Sequence, residues 1–343
     1  MIILANRMLS PDHKISILTV TYGNRWQYLQ VLIKYALSHS NVAEVVVVDN
    51  ASAYSVADRV NEFNDARIKV ISNTENEGSA GGYNAAINQA YQSNCANLFF
   101  MLDDDNLPAA GVIDTLISEW DATELPNNKK ALFCLREDRA VHIKIAKGED
   151  PYRYYLVANN FLGFSVFRVF QNQLFKLRDK FKQNSPYLPR VKMPYVPYGG
   201  LMFHRSLIAD IGLPDRNMFV YVDDSEYTYR ITQNHGTIWL IPSCRISDLE
   251  QSQGIGYKKR LFHSPLLDQW NFRTYYHVRN RMYFYSRVAI KNKIVFQINK
   301  TLYLTYLQIV SLLSSKVKEY KKLVLAINDG LAGKLGKADN DRF

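Results

Sequence analysis

Between residues 15 and 136 the apolar positions follow two alternating rhythms. Short, nearly continuous apolar runs occupy residues 15–22, 44–49 (around Val45-Val46-Val47-Val48), 67–72, 98–102 and 131–136. Their length and lack of a polar face predict strands covered on both sides of a sheet. Between them, residues 26–38, 80–92 and 109–120 place apolar side chains every three or four positions, the spacing of amphipathic helices. Strand and helix in turn predict an α/β fold, a mostly parallel sheet with helices on both faces. Such sheets bind ligands beyond the carboxyl ends of their strands. Thr21-Tyr22, Asp49-Asn50 and Asp103-Asp104-Asp105 all fall at such ends.

The rhythm breaks over residues 139–192, which are rich in aromatic residues (Tyr152, Tyr154, Tyr155, Phe161, Phe164, Phe167, Phe170) and hold a basic stretch at 176–182. This segment reads as an insertion that shapes a substrate site, with a short helix over 165–182. The plainer alternative is a lid over the sheet edge.

Composition narrows the class. A chain of 343 residues with 47% hydrophobic content can bury one large core or two smaller ones. It has no run of 18 consecutive apolar residues, which argues against a spanning helix. The start, Met1 to Arg7, lacks the length and charge order of a secretion signal. Cys95, Cys134 and Cys244 form no C-x-x-C pair and read as reduced packing residues. Of the net charge of +10, residues 253–343 carry +12 (17 Lys and Arg against 5 Asp and Glu), leaving about −2 for the rest. The chain therefore divides into a near-neutral catalytic region, 1–252, and a basic helical region, 253–343.

Candidate chemistry gathers at two acidic clusters. Three adjacent carboxylates at a strand end repel one another unless a cation sits among them. A hard divalent ion bridging substrate phosphates meets that need; a solvated acidic turn ahead of a helix is the plain alternative. In the second cluster, Asp223-Asp224-Ser225-Glu226, Glu226 and Arg230 are spaced to pair on a helix. There the aspartates are either helix caps or supply a general base. Glu77-Gly78-Ser79-Ala80-Gly81-Gly82 opens a helix after a strand. It reads equally as an anion-binding helix start or as a close-packing device, and it matches neither a dinucleotide fingerprint nor a P-loop.

Taken in order, these pieces resemble family 2 glycosyltransferases of the GT-A fold, in the branch of bacterial galactofuranosyl- and rhamnosyltransferases. The carriers are Thr19 to Tyr22, Val48 to Ser52, Asn76 to Gly82, Asp103 to Asp105, Gly199 to Phe203 and Asp223 to Glu226. Tyr275 to Asn280 and Ala326 to Leu331 extend the likeness toward the carboxyl end. The resemblance implies a Rossmann-like nucleotide-sugar-binding sheet with a C-terminal helical extension. It places Thr21, Arg25, Asp49, Gly81, Gly82 and Asp104 at the donor, and Gly199, Gly200, Asp223 and Glu226 at the acceptor. It makes Asp224 the catalytic base, and Asp103 and Asp105 ligands of Mn2+ or Mg2+. Relatives place a metal-binding histidine six residues past a proline. Here that count from Pro242 reaches Asp248, also a hard oxygen donor. His235 and His263 read as structural.

The expected activity is inverting, metal-dependent transfer of a sugar from a nucleotide-sugar donor to a lipid-linked glycan acceptor. Galactofuranose from UDP-galactofuranose comes first, with rhamnose from dTDP-rhamnose as alternative. A glycoside hydrolase or a non-catalytic carbohydrate-binding protein are the readings from other classes. Residues 293–315 are apolar but interrupted by polar residues, and Lys316, Lys318, Lys321 and Lys322 follow. They suit a helix lying on an anionic membrane, at the cytoplasmic face of the cell membrane. A packed cap or a contact between copies in a homo-oligomer is the alternative. No recognition motif for nucleic acid accompanies the basic charge.

Overall fold

A computed structural model describes residues 13–179, 185–250, 257 and 260–343. The chain start 1–12, the end of the basic stretch at 180–184, and the start of the basic region at 253 lie outside the described residues.

Four strands form as the pattern predicts: β1 (Ile15–Thr21), β2 (Val42–Asp49), β3 (Ile68–Ser72) and β4 (Leu98–Met101). They pair in parallel in the order β3-β2-β1-β4. Two buried layers explain their continuous apolar character. Ile15, Ile17, Val45 and Val47 face α1 (Trp26–Leu37), α2 (Val56–Asn61) and α4 (Val112–Asp121). Leu18, Val46 and Val48 face α3 (Gly78–Ser93) on the other side.

Beyond β4 the sheet departs from the mostly parallel expectation. The order continues β4-β8-β6-β9-β5, with β5 (Asn106–Pro108), β6 (Lys130–Arg136), β8 (Leu201–His204) and β9 (Thr237–Asp248), and with β7 (Val191–Met193) added to β9. β8 runs antiparallel between β4 and β6, and β5 and β7 run antiparallel to β9, so half of the sheet is mixed. Leu201-Met202-Phe203 is too short a run to announce a central strand; it is one because Phe99 and Ala131 both wait opposite Phe203.

In the interrupted region, α5 (Ala140–Ala146) and α6 (Val169–Asp179) are the helices. Phe161 and Phe164 pack not on the sheet but on Phe296 and Tyr303. Phe161 and Phe164 thus bracket the C-terminal helices, and of the described residues in 139–192 only Arg139 reaches the main cavity. α7 (Leu207–Ile211) and α8 (Asp223–Gln233) complete the second face of the sheet.

After the short α9 (Pro265–Asp268) come α10 (Phe272–Val288), α11 (Lys293–Leu313) and α12 (Val317–Ala332), which share a separate core around Tyr276, Met282, Leu307, Leu323 and Ile327. Among the described residues no helix is long and apolar enough to cross a membrane. Cys134 and Cys244 are buried in the sheet core, whereas Cys95 is exposed and packs nothing; all three are free.

Candidate active site

The strand ends, the start of α3, the start of α8 and the carboxyl-terminal segment enclose one cavity of about 740 Å³. Asp103, Asp104 and Asp105 line it together with Asp223 and Asp224, and Asp224 lies within electrostatic reach of Asp103 and Arg136. Tyr276, Phe272 and Phe343 supply an aromatic wall from the C-terminal region.

At the first corner every carboxylate meets a guanidinium. Arg25 donates from Nε to Asp104 at 2.8 Å, forms an ion pair with Asp105 at 3.0 Å, and also holds Glu250. Thr21, fully buried, donates its hydroxyl to Asp104 at 2.7 Å. Its role is to orient Asp104, since it does not itself reach the cavity. Tyr83 donates to Asp103 at 3.0 Å, and Arg136 lies 3.4 Å away on its other side. Burial pushes the Asp104 carboxyl up to about 7, against the pull of Arg25 and Thr21. Burial and then the neighbouring Asp103 push Asp105 up to about 6.

Asp248 reaches this corner because β5 pairs with β9 and sets Asn106 opposite it. Its expected role as a metal ligand is not what the structure displays. Asp248 is clasped through both oxygens by Arg136, and Asn106 donates to it at 2.9 Å. A buried guanidinium needs such a partner, and Asp248 is spent on that need. Among the described residues no group of three or more His, Cys, Asp or Glu is placed to hold a metal. What remains, Asp103 and Asp105, is a pair of hard oxygen donors at one strand end. That pair fits a magnesium-type ion, which takes one or two carboxylates and completes its shell with substrate phosphates and water.

The second corner is built by strain. Phe219, Tyr221 and Val222 all have positive φ (64°, 64° and 66°), so the turn before α8 is held in a conformation that side chains disfavour. Asn280 on α10 holds it, its amide donating to the carbonyls of Met218, Val220 and Tyr221 at 2.7, 3.0 and 2.9 Å. Arg279, 1% exposed and stacked over Tyr276, adds a hydrogen bond to Met218. On the other side Gly78, at φ +71°, lies against the Phe219 carbonyl; a β-carbon there would sit 2.0 Å from that oxygen. The clamp delivers Asp223 and Asp224 to the cavity. Ser79 donates to Asp223 at 2.8 Å, and the backbone N–H of Ser225 donates to Asp224 at 2.6 Å. Burial raises the pKa of both aspartates, Asp223 further by its proximity to Asp224.

Several expected site residues lie elsewhere. Glu226 binds Arg230 at 2.6 and 2.9 Å and does not line the cavity, the simple helical pair its spacing allows. Gly81 and Gly82 are packing glycines: β-carbons there would meet Glu77 and Val20, both at 2.5 Å. The helix start is not a free anion site either, because Asn50, Asn76 and the Phe219 carbonyl already accept from the N–H groups of Glu77, Gly78 and Ala80. Gly199 and Gly200 are buried behind the first corner: a β-carbon on Gly199 would sit 2.2 Å from Asn106 Oδ1 and 2.6 Å from an Asp103 oxygen, and one on Gly200 would meet Ile246, Cys134 and Phe133. Asp49 caps its own turn by accepting from the Ser52 N–H at 2.8 Å, and its neighbour Asn50 lines the cavity instead. His235 and His263 lie outside the cavity, His263 on Asp268.

Three contributors escaped the sequence reading. Arg136 ends β6, so the strand-end rule that singled out Asp49 and Asp103 covers it too. Asn280 sits in a stretch noted for its likeness but given no role. Ser79 lay inside the glycine-rich start, where attention fell on the glycines.

Known proteins resemble this chain in sequence and in fold. The sequence profile described as Glycosyl transferase family 2 matches residues 16–170. A curated relative, dTDP-rhamnosyl transferase RfbF of Shigella flexneri, is 23% identical over 92% of this chain and 95% of its own length. Among solved structures, S. aureus TarS residues 1–349 with UDP-GlcNAc is 15% identical with a TM-score of 0.52, covering 92% of this chain and 80% of that one. The mannosyltransferase PcManGT of Pyrobaculum calidifontis, with GDP-Man and Mn2+, is 15% identical with a TM-score of 0.53, covering 94% and 88%. GalNAc-T7 with UDP, GalNAc and Mn2+ gives 14% identity and a TM-score of 0.54; the match covers 80% of this chain but only 50% of that longer one. These structural likenesses establish the GT-A fold, a mixed α/β sheet flanked by helices, followed here by a C-terminal helical region.

Proposed function

We propose that this chain, a family 2 glycosyltransferase, moves one sugar from a nucleoside diphosphate donor to a glycan hydroxyl by a single inverting displacement. The observation that carries the reading is that two differently built acidic corners line one cavity.

The donor's diphosphate belongs at the Asp103–Asp105 corner. Asp103 and Asp105 would hold a divalent ion there, which supplies neutralisation of the charge gathering on the leaving diphosphate. Asp104, fixed by Thr21 and Arg25, lies where it can accept a hydrogen bond from the donor's sugar or nucleoside. Arg25 and Arg136 carry the positive charge that keeps three carboxylates together before the donor arrives. At the second corner Asp224 takes the proton of the attacking hydroxyl. Burial keeps its carboxylate more basic than a solvated aspartate, as a general base requires. Asp223, tied to Ser79, holds the rim of the acceptor side.

For the sugar, rhamnose from dTDP-rhamnose is the favoured reading, supported by the relative that aligns over nearly the whole chain. Galactofuranose from UDP-galactofuranose stays as the second, supported by the likeness of the Asp103–Asp105 and Asp223–Glu226 motifs to that branch. The acceptor we assign is a lipid-linked glycan of the cell surface. A panel of nucleotide sugars with manganese, read by nucleotide release, tests the assignment: release of dTDP above all others is expected, and release of UDP from UDP-galactofuranose alone selects the second reading. Thermal stabilisation by neither dTDP nor UDP with manganese would instead point to a hydrolase or a plain carbohydrate-binding protein.

A further inference from the structure

We infer that the outer face of α11 is a docking surface for an anionic lipid bilayer, on which the helix lies flat. α11 spans 21 residues, about 31 Å at the helical rise. One face is committed to the protein through Phe296, Asn299, Leu307 and Val310, all buried. The opposite face is an apolar stripe broken by Thr301 and Thr305: Ile294 is 72% exposed, Ile298 40%, Leu302 47%, Ile309 52%, Leu312 65% and Leu313 59%. Folded proteins seldom leave so long a stripe uncovered without a partner.

Charge names the partner. No aspartate or glutamate occurs between Asp268 and Glu319, so the whole helix is flanked by cations alone. Lys291 precedes it, Lys293 opens it, and Lys318 and Lys321 follow, all exposed. Lys293 borders a shallow groove with Ile294, Ile298 and Leu302. An apolar stripe with lysines at both ends matches a helix whose side chains enter the acyl boundary while its ammonium groups meet lipid phosphates. A second element extends the surface. The turn bearing Leu261 and Phe262, 81% and 55% exposed, is pinned to Asp268 by Tyr257, Arg260 and His263. Tyr257 in turn lies within electrostatic reach of Tyr306, on the exposed side of α11. Since none of these residues lines the cavity, the surface is independent of which sugar the site takes.

The test is flotation of the full chain with vesicles of phosphatidylglycerol or of phosphatidylcholine, at low and high salt. Binding to phosphatidylglycerol vesicles at low salt and release at high salt is expected. Ile298→Glu with Ile309→Glu, both at exposed positions, is expected to weaken that binding by roughly tenfold or more. Lys318→Gln with Lys321→Gln is expected to weaken it by about tenfold. Unchanged binding of dTDP or UDP and an unchanged melting temperature show that the variants fold and leave the active site intact. Equal binding to both lipids at every salt, or full binding by the Ile298/Ile309 variant, overturns the proposal. So does a wild-type dimer, seen by light scattering, that the same variant converts to monomers, for the stripe would then be an interface between copies.

Discussion

The two acidic corners of the cavity use the same side chain in opposite surroundings. Asp103, Asp104 and Asp105 sit under the guanidinium groups of Arg25 and Arg136, which offset part of their charge while also pairing with Glu250 and Asp248. Asp223 and Asp224 are raised by burial as Asp104 and Asp105 are, but their hydrogen bonds come from Ser79 and Ser225. A divalent ion arriving with the donor's diphosphate adds positive charge to a corner still rich in carboxylates. A buried carboxylate hydrogen-bonded by neutral groups is freer to take a proton than one held in an ion pair. The comparison assigns charge handling to the first corner and proton handling to the second, from environment rather than from residue type.

Removing the first corner is expected to have the largest effect. Asp103→Ala with Asp105→Ala should lower sugar transfer by about 10³-fold or more, because a several-kcal/mol charge stabilisation is lost. It should also abolish the response of the melting temperature to nucleotide with manganese. Transfer unaffected in that variant, with EDTA present, would break the assignment. Asp224→Asn comes next: transfer should fall by ~10²-fold, while nucleotide affinity in calorimetry stays at the wild-type value. A wild-type rate, or a product that retains the donor's anomeric configuration, would remove Asp224 as base.

A subtler change tests the clamp behind the second corner. Asn280→Ala deletes three hydrogen bonds to the Met218–Tyr221 turn. It should cost about 1–3 kcal/mol of stability through the carbonyls left unpaired, and lower kcat without moving nucleotide affinity. If it weakens nucleotide binding as much as turnover, the turn serves the donor side instead. The smallest expected effect lies in the pH profile. A base must be ionised to act, so transfer should rise with pH through the raised pKa of Asp224 and level off above it. The acid limb should therefore lie higher than the ordinary aspartate value of about 3.9. Asp224→Asn should flatten that limb; an unaltered limb would assign it to another group.

Much of the fold was legible along the chain. The runs at Ile17, Val46 and Phe100 are apolar on both faces because helices cover both, and that continuity is itself the signal of a buried strand. The cluster at Asp103 stood out as three adjacent carboxylates at a strand end, and that at Asp223 as a second acidic group at a helix start. The glycines misled for an equally physical reason. At Gly82 and Gly199 the missing β-carbon admits Val20 and Asp103, and sequence does not distinguish an approaching side chain from an approaching ligand.

By itself, then, the sequence determined β1 to β4, β6, α1, α3 and α4, that these strands are covered on both faces, and which strand ends carry charge, since each depends on residues close along the chain. Tertiary structure alone decided that β8 enters antiparallel between β4 and β6, that pairing of β5 with β9 brings Asp248 to Arg136, and that Asn280 clamps the turn before Asp224. Those decisions join positions separated by 60 residues in the clamp and 112 in the Arg136–Asp248 pair. Partners so far apart are chosen by the packing of the whole sheet and the helices against it, and local periodicity holds no record of that choice.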